Sequence, residues 1–292
     1  MNFLLKKLTL DCVSISGDTF QGLLSGCHAL ESLSMLEVHA AGCLHVSSQT
    51  LRSIGFRDSS DEKAELVIDD APLLERLLLP YSHLNDRVTI RIIRAPKLEI
   101  LGPFSPDFNS HHSAFLQTDN YFDVGCFLQG MGPVSFANSI STVKVLAVGC
   151  YTYQLNAVLD ILRWFPCLGK LYVTFGRQNL PHYDRPHPME CLQTHLKEVV
   201  LKYFNGYEQQ IDFARFFVLN AKVLNKIEFH VREDHYNNEF VAHQHILLQA
   251  EDRASPDAQF EFRKICGSID YHVSKHIHDM SVADPFADRV DA

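Results

Sequence analysis

Positive charge is in short supply: 26 Lys and Arg against 35 Asp and Glu leave a formal charge of −9. A general attraction to nucleic acid or to an anionic membrane is therefore not expected. No apolar run approaches the about eighteen residues that a membrane-spanning helix needs. The opening MNFLLKK meets Lys6 and Lys7 too early for a signal peptide. None of the eight cysteines, Cys12, Cys27, Cys43, Cys126, Cys150, Cys167, Cys191 and Cys266, falls in a C-x-x-C pair. A secreted disulfide scaffold is normally shorter and denser in cysteine, so these read as free thiols of a cytoplasmic or nuclear protein. The sequence also lacks a phosphate-binding glycine loop, a G-x-S-x-G elbow, the kinase motifs and an H-E-x-x-H pair. No enzyme class and no cofactor is indicated.

What the chain does have is enough apolar residue, 46%, to bury a large core, and a cadence that orders it. An apolar residue, two variable residues, a second apolar residue, one variable residue and a third apolar residue recur. The matches are Leu5-Leu8-Leu10, Leu30-Leu33-Met35, Leu51-Ile54-Phe56, Leu74-Leu77-Leu79 and Leu98-Leu101, then Val143-Leu146-Val148, Leu168-Leu171-Val173, Leu196-Val199-Leu201 and Leu224-Ile227-Phe229. The steps between first residues are 25, 21, 23, 24, 45, 25, 28 and 28. The long step spans about two periods and places a degenerate repeat near Tyr121 to Val124. Residues two apart point the same way from a strand, and one such unit cannot bury its apolar edge without neighbours. A period of about 20–29 residues with this cadence is the leucine-rich-repeat signature. The expected fold is α/β: a leucine-rich-repeat solenoid, or horseshoe, with short parallel strands on its concave face and helices and loops on its convex face.

Helix signals lie between the strands. Residues 18–24 follow a cap at Ser16 or Asp18 and stop at Gly26; 153–165 carries Leu155, Val158, Leu159 and Leu162 on one face and ends at Pro166. Residues 211–220 and 239–249 are further candidates. Gly102-Pro103, Ser105-Pro106 and the stretch between Pro181 and Pro188 read as loops. The polar, acidic residues 267–292 read as a disordered tail.

The candidates for chemistry are weak. His272 and His276 stand one helical turn apart, but without an intervening glutamate they fit a solvated tail better than a metal site. His187, Cys191 and His195 are spaced by four, yet Pro186 and Pro188 oppose a helix there. Cys12 and Cys150 occupy equivalent positions just beyond a strand, where a small side chain serves the turn; neither has a nearby histidine to activate it. Asp69-Asp70 and the acidic stretch from Asp58 to Glu62 read as loop charges, and Trp164 as packing. No catalytic or metal-binding residue is assigned.

Asp70-Ala71-Pro72-Leu73-Leu74-Glu75-Arg76-Leu77 and Arg94-Ala95-Pro96-Lys97-Leu98-Glu99-Ile100-Leu101 share an A-P-x-L-E-x-L phrase, with Phe165-Pro166-Cys167-Leu168-Gly169-Lys170-Leu171 a looser copy. His195-Leu196-Lys197-Glu198-Val199, Asn205-Gly206, Ala221-Lys222-Val223-Leu224-Asn225-Lys226-Ile227 and the stretch from Arg253 to Phe260 follow in order. Together they resemble the repeats and FBD segment of plant F-box proteins of the FBD group, over about residues 3–265. The resemblance implies repeats over 1–193, an FBD-like continuation over 194–266, and binding of a protein target presented to a cullin-based ubiquitin ligase. Members of the group usually begin with an F-box that docks the ligase adaptor. Here the first repeat starts at Leu5, so adaptor docking is expected only where an F-box precedes the repeats.

Partner binding is expected on the strand residues facing away from the core. In the first half these are Lys7, Thr9 and Asp11; Ser32 and Ser34; Ser53, Gly55 and Arg57; Arg76 and Leu78. In the second half they are Lys170, Tyr172 and Thr174; Glu198, Val200 and Lys202; Lys226, Glu228 and His230. An aromatic ring among charges of both signs is the composition a protein-binding hot spot uses. The ten positions expected to contact a partner are Arg57, Arg76, Lys170, Tyr172, Thr174, Glu198, Lys202, Lys226, Glu228 and His230. The alternatives are a free-standing scaffold or competitor for the same target, and a small-molecule receptor. The last calls for a basic ring around a cavity, which this mixed set does not provide.

Overall fold

The typical cadence becomes a recurring local structure. Its first apolar residue closes a tight turn, as in the hydrogen bonds from the amides of Leu30, Leu74, Leu98 and Leu168 to the carbonyls of Cys27, Ala71, Ala95 and Phe165, all at 3.1 Å. The next residue then bonds to the same place in the preceding repeat: the Glu31, Arg52, Glu75 and Glu99 amides donate to the Lys6, Glu31, Arg52 and Glu75 carbonyls. The second half repeats this through Gly169, Lys197, Asn225 and Gln259, which donate to Lys144, Gly169, Lys197 and Asn225. The A-P-x-L-E phrase thus has a physical reading. Ala71 is small enough to be fully buried under the turn, Leu74 enters the core, and Glu75 receives Nε and Nη2 of Arg52 at 2.9 and 3.1 Å.

The computed structural model describes residues 4–58, 65–80, 88–104, 126–128, 141–150, 155–176, 189–265 and 272–287. They form two compact units, one of Met1–Phe104, Phe108–Thr142 and Tyr271–Ala292, the other of Ser105–Asp107 and Val143–Asp270. The division between them falls near residue 142.

In the first unit, strands β1 (Lys7–Asp11), β3 (Ser32–Ala41), β5 (Ser53–Asp58), β7 (Arg76–Leu78) and β9 (Ile100–Phe104) are parallel neighbours in that order. β2 (Ser14–Ser16) pairs with the far end of β3. The register aligns Lys7, Ser32, Ser53, Arg76 and Ile100 in one row and Thr9, Ser34, Gly55, Leu78 and Gly102 in another. Helix α1 (Gly17–Gly26) starts where expected, with Ser16 Oγ accepting from the Thr19 amide, and buries Phe20 and Leu24.

Behind these strands the expected helices give way to a second parallel sheet, in the order β10 (Cys126–Leu128), β8 (Val88–Ile92), β6 (Glu65–Asp70) and β4 (Cys43–Ser47). The cause is compositional: Leu44 and Val46, Leu66 to Ile68, and Ile90 and Ile92 are buried on short, β-branched segments that suit strands. Asp69 and Asp70 accordingly lie in a strand, not a loop, and pair with His45 at 2.9 Å and Arg94 at 2.8 Å. Gly102-Pro103 also lies within a strand, β9.

The second unit keeps helices between its strands. β11 (Val145–Cys150), β12 (Lys170–Phe175), β13 (Glu198–Lys202), β14 (Lys226–Arg232) and β15 (Gln259–Ile265) are parallel and pair consecutively. The intervening helices are α2 (Leu155–Leu162), α3 (Glu190–Thr194), α4 (Glu208–Asn220) and α5 (Asn238–Leu247). Phenylalanines fill this core: Phe204 meets Phe229 edge-on at 4.9 Å between centroids, and Phe229 stacks on Phe262 at 4.5 Å. β15 is a repeat beyond the last cadence recognised, Phe260 and Phe262 standing in register with Ile227 and Phe229.

The segment expected to be disordered contains ordered residues. A short 3-10 helix (His272–His276) and the residues to Ala287 belong to the first unit, with Val273, Ile277 and Phe286 buried. Three well-spaced apolar anchors suffice to seat an otherwise polar stretch. The degenerate repeat near Tyr121 to Val124, Ser105-Pro106, the acidic stretch beyond Asp58 and the loop between Pro181 and Pro188 lie outside the described residues.

Candidate partner-binding faces

Within each unit the strand residues that alternate with the core residues form an open sheet face, and the two faces differ. In the first unit the floor is lined by small side chains: Ser32 and Ser34 on β3, Ser53 and Gly55 on β5. The chain's own C-terminal segment lies across it. Ile277 is fully buried, and a Cβ placed on Gly55 would come within 2.6 Å of its Cγ1. Ser32 Oγ donates to the Ile277 carbonyl at 2.8 Å and lies 2.7 Å from His278 Nδ1; His278 Nε2 is 2.8 Å from Thr9 Oγ1. Two strands on, in the same row as Ser32, Arg76 donates through Nη1 to the Asp279 carbonyl (3.1 Å) and through Nη2 to the Met280 carbonyl (3.2 Å). Burial moves Arg76 below its ordinary value, and a guanidinium remains charged regardless.

Two of the expected partner residues belong to this unit. Arg76 is only 5% exposed and committed to the segment. Arg57, at the edge, pairs with Glu37 at 2.7 Å. Leu78 is buried as well.

In the second unit the face is a polar ladder. Lys170 pairs with Glu198 at 2.8 Å, and Lys170 and Lys202 both place their ammonium groups over the Tyr172 ring, 5.1 and 5.5 Å from its centroid. Lys226 bonds Glu228 and Glu261, each at 2.6 Å, and Arg263 reaches Glu261 at 2.6 Å and Glu228 at 3.4 Å. His230 completes the group, 3.2 Å from Glu228. That hydrogen bond, helped by Lys226 and Arg263, holds the Glu228 carboxyl at about 2 although burial opposes it. Burial also works against the Lys226 charge, but the hydrogen bonds it donates to Glu228 and Glu261 outweigh it and raise its value.

The ten expected residues thus divide by access. Lys170, Glu198, Lys202 and Lys226 are partly exposed and can meet a partner. Tyr172, Thr174 and His230 are 3–4% exposed and Glu228 9%, so these four shape the ladder from within. Glu261 and Arg263 escaped the sequence reading, although the alternation Phe260-Glu261-Phe262-Arg263 signals their outward position. Ile277 and His278 escaped it too, since no repeat marks them.

The remaining candidates for chemistry show structural roles. Cys12 adopts a left-handed turn (φ 52°), as do Glu37 and Tyr203 two residues beyond the last apolar strand position of their own repeats. A hydrogen bond to Glu37, then the charge of Asp11, raise the Cys12 thiol. Burial pushes Cys191 up to about 11, and it approaches the Leu162 carbonyl. Cys150 ends β11 and His187 lies outside the described residues, and Trp164 is partly buried beyond α2. Among the described residues no cluster of His, Cys, Asp and Glu is placed to hold a metal ion, and no helix is long and apolar enough to cross a membrane.

Comparison with known proteins supplies the context for these faces. The chain is 24% identical over 308 aligned positions to the F-box/FBD/LRR-repeat protein At4g00160 of Arabidopsis thaliana, covering 92% of this chain and 62% of that protein. It is 39% identical over 206 positions to the FBD-associated F-box protein At4g13985 of Arabidopsis thaliana, covering 68% and 41%. The chain therefore spans less than two thirds of the length of either relative. No solved structure matches it significantly. The names of these relatives are those of interaction modules rather than of enzymes. A model of the FBD domain matches residues 186–229. The model described as FBD-associated F-box protein At5g56370, LRR repeats, matches residues 3–173, more than half of the chain, and the chain belongs to this family of plant FBD-type leucine-rich-repeat proteins.

Proposed function

We propose that the chain is the substrate-recognition part of a cullin-based ubiquitin ligase receptor, its repeats stacking within each unit as turns of a solenoid that holds a protein target. The observation that carries this reading is the ladder of the second unit. Lys170, Glu198, Lys202 and Lys226 offer partly exposed charges of both signs on adjacent strands, backed by buried Tyr172, Thr174 and His230. A rigid, mixed-charge surface of this kind selects a partner by complementary charge and by rejecting mismatched neighbours. The names of the relatives support the ligase context, because an F-box is the adaptor-docking element. The working protein in this reading is a cytoplasmic or nuclear one.

The test is affinity capture from plant extract with this chain alone and with an F-box fused before Leu5. Recovery of one common partner by both, and of the ligase adaptor by the fusion only, is the expected result. The charge-reversed variant K202E/K226E should lose the common partner. Recovery of the common partner by both forms, with no adaptor recovered together with it by the fusion, would favour a free-standing scaffold or competitor over a receptor. Partner capture that is indifferent to K202E/K226E would remove the ladder from the binding surface.

A further inference from the structure

We propose that the open face of the first unit is a peptide-binding groove whose present occupant, the C-terminal segment, is an exchangeable internal ligand. The external partner it fits is a short peptide that follows the same turned path and carries a branched apolar residue followed by a neutral hydrogen-bonding side chain.

Four features of the groove define this chemistry. The notch over Gly55 exists because β5 carries no side chain there, and a branched aliphatic side chain fills it, as Ile277 does. Ser32 and Thr9 bracket the ring of the next residue, His278, on its two nitrogens. Arg76 takes two successive backbone carbonyls, an interaction indifferent to which side chains follow. Ser53 supplies the fourth. Its hydroxyl is fully buried on the groove floor, beside the notch, and meets no hydrogen-bond partner among the described residues.

Ser53 is the reason for reading the occupant as replaceable. Leaving a buried hydroxyl unpaired costs about 1–3 kcal/mol, so the internal segment is not the best ligand this groove can hold. A peptide that keeps the apolar anchor and the two carbonyls while offering an acceptor to Ser53 binds more tightly than the segment. The segment's own backbone bonds are long, 3.4 Å from the Ile277 amide to Ser274 and 3.3 Å from the Asp279 amide to His276. Its hold therefore rests on the anchors and on Ser32, Thr9 and Arg76. An intramolecular ligand competes at an effective concentration that can reach the millimolar range, so only a partner of matching chemistry displaces it. This inference stands whether or not the protein serves a ligase.

The experiment uses the full chain and a fluorescent synthetic peptide of residues 271–287. In the Ile277→Asp variant, a charge in the apolar notch releases the internal segment, and the peptide binds the vacated groove. In the wild type, competition weakens that binding at least tenfold. Adding Gly55→Val to Ile277→Asp fills the notch from the side of the sheet opposite the core and abolishes binding. A variant that unfolds cooperatively, as the wild type does, and still fails to bind the peptide overturns the proposal. Should Ile277→Asp not fold, the wild type decides: a peptide with photo-leucine in place of Ile277 should crosslink to β5 in a saturable manner. Absence of that crosslink at millimolar peptide means that the segment is a fixed part of the fold.

Discussion

Ser32 and His278, 246 residues apart in sequence, are joined by a 2.7 Å hydrogen bond whose direction is fixed by their other partners. The Ser32 hydroxyl gives its one proton to the Ile277 carbonyl, so it accepts from His278 Nδ1–H, and Nε2 is left to accept from the Thr9 hydroxyl at 2.8 Å. The neutral ring is thereby satisfied at both nitrogens. Burial first, and the charge of Lys7 on β1 second, hold His278 below its ordinary value of 6.5. Asp279 follows it in the chain, its carboxylate taken up by the Ser281 amide at 3.1 Å.

The sign of the pH dependence follows. A histidine kept neutral by folding contributes its full stability above the unfolded value, and that contribution falls as the pH drops from 6.5 through the lower folded value. Thermal unfolding followed from about pH 8 to pH 5 should show wild type losing stability over that window, with a flatter curve for His278→Gln. Equal slopes for the two proteins would mean that His278 takes up its proton as readily in the fold as in the unfolded chain.

Glu228 gives the opposite kind of group a lower window. Its carboxyl is held at about 2 by His230, Lys226 and Arg263, against an ordinary 4.5. The stability it contributes is complete above pH 4.5 and is lost as the pH falls toward 2. Glu228→Gln should be less stable than wild type at neutral pH, because Lys226, His230 and Arg263 lose their shared anion. The difference should narrow on acidification below 4.5. Denaturant midpoints at about pH 7, 4 and 3 check this, and a constant difference would show that Glu228 acts only through packing.

The repeating half of the fold was legible because backbone ladders and core positions repeat together. Leu74, Leu98 and Leu168 close identical turns, and the same phrase that marks them in sequence places Glu75 against Arg52. Leu66-Val67-Ile68 was not legible as a strand of a second sheet, since a short apolar run fits a buried helix or a buried strand equally well. Parity along the strands gave the outward positions of the ladder, from Lys170 to His230, but not their access. Burial of Tyr172 and His230 depends on neighbours that no period encodes. The same holds for Ile277, whose place is set by a missing side chain at Gly55.

Two glycines should respond in opposite directions to alanine. Gly206 has φ +73°, and an added Cβ would stand 2.8 Å from Gln244 Nε2 and 2.9 Å from Phe240 Cε2, both on α5. The left-handed conformation alone costs a non-glycine residue about 1–2 kcal/mol, and displacing α5 adds to it. Gly206→Ala should therefore destabilise the second unit by about 2 kcal/mol or more. Gly22 sits within α1 with nothing within 4 Å of an added Cβ. Gly22→Ala should stabilise by up to about 1 kcal/mol through helix propensity. Urea titrations of the two variants decide it; a shift of the same sign in both would contradict the backbone argument.

The thiols make a last prediction, about reactivity rather than stability. Cys43 and Cys191 are both pushed up to about 11, chiefly by burial, and Cys12 is raised by its hydrogen bond to Glu37. The thiolate is the reacting form, and at pH 8 a thiol with a value of about 11 is only ~0.1% ionised. Alkylation followed residue by residue by mass spectrometry should thus be slow in the native chain at Cys43 and Cys191, and accelerate at both in urea. Cys12 is exposed, so only its raised value protects it. Glu37→Gln should then speed its alkylation several-fold while leaving Cys191 unchanged. Rapid native labelling at Cys191 would instead mean that α3 opens readily, and the buried thiol would become a candidate for chemistry after all.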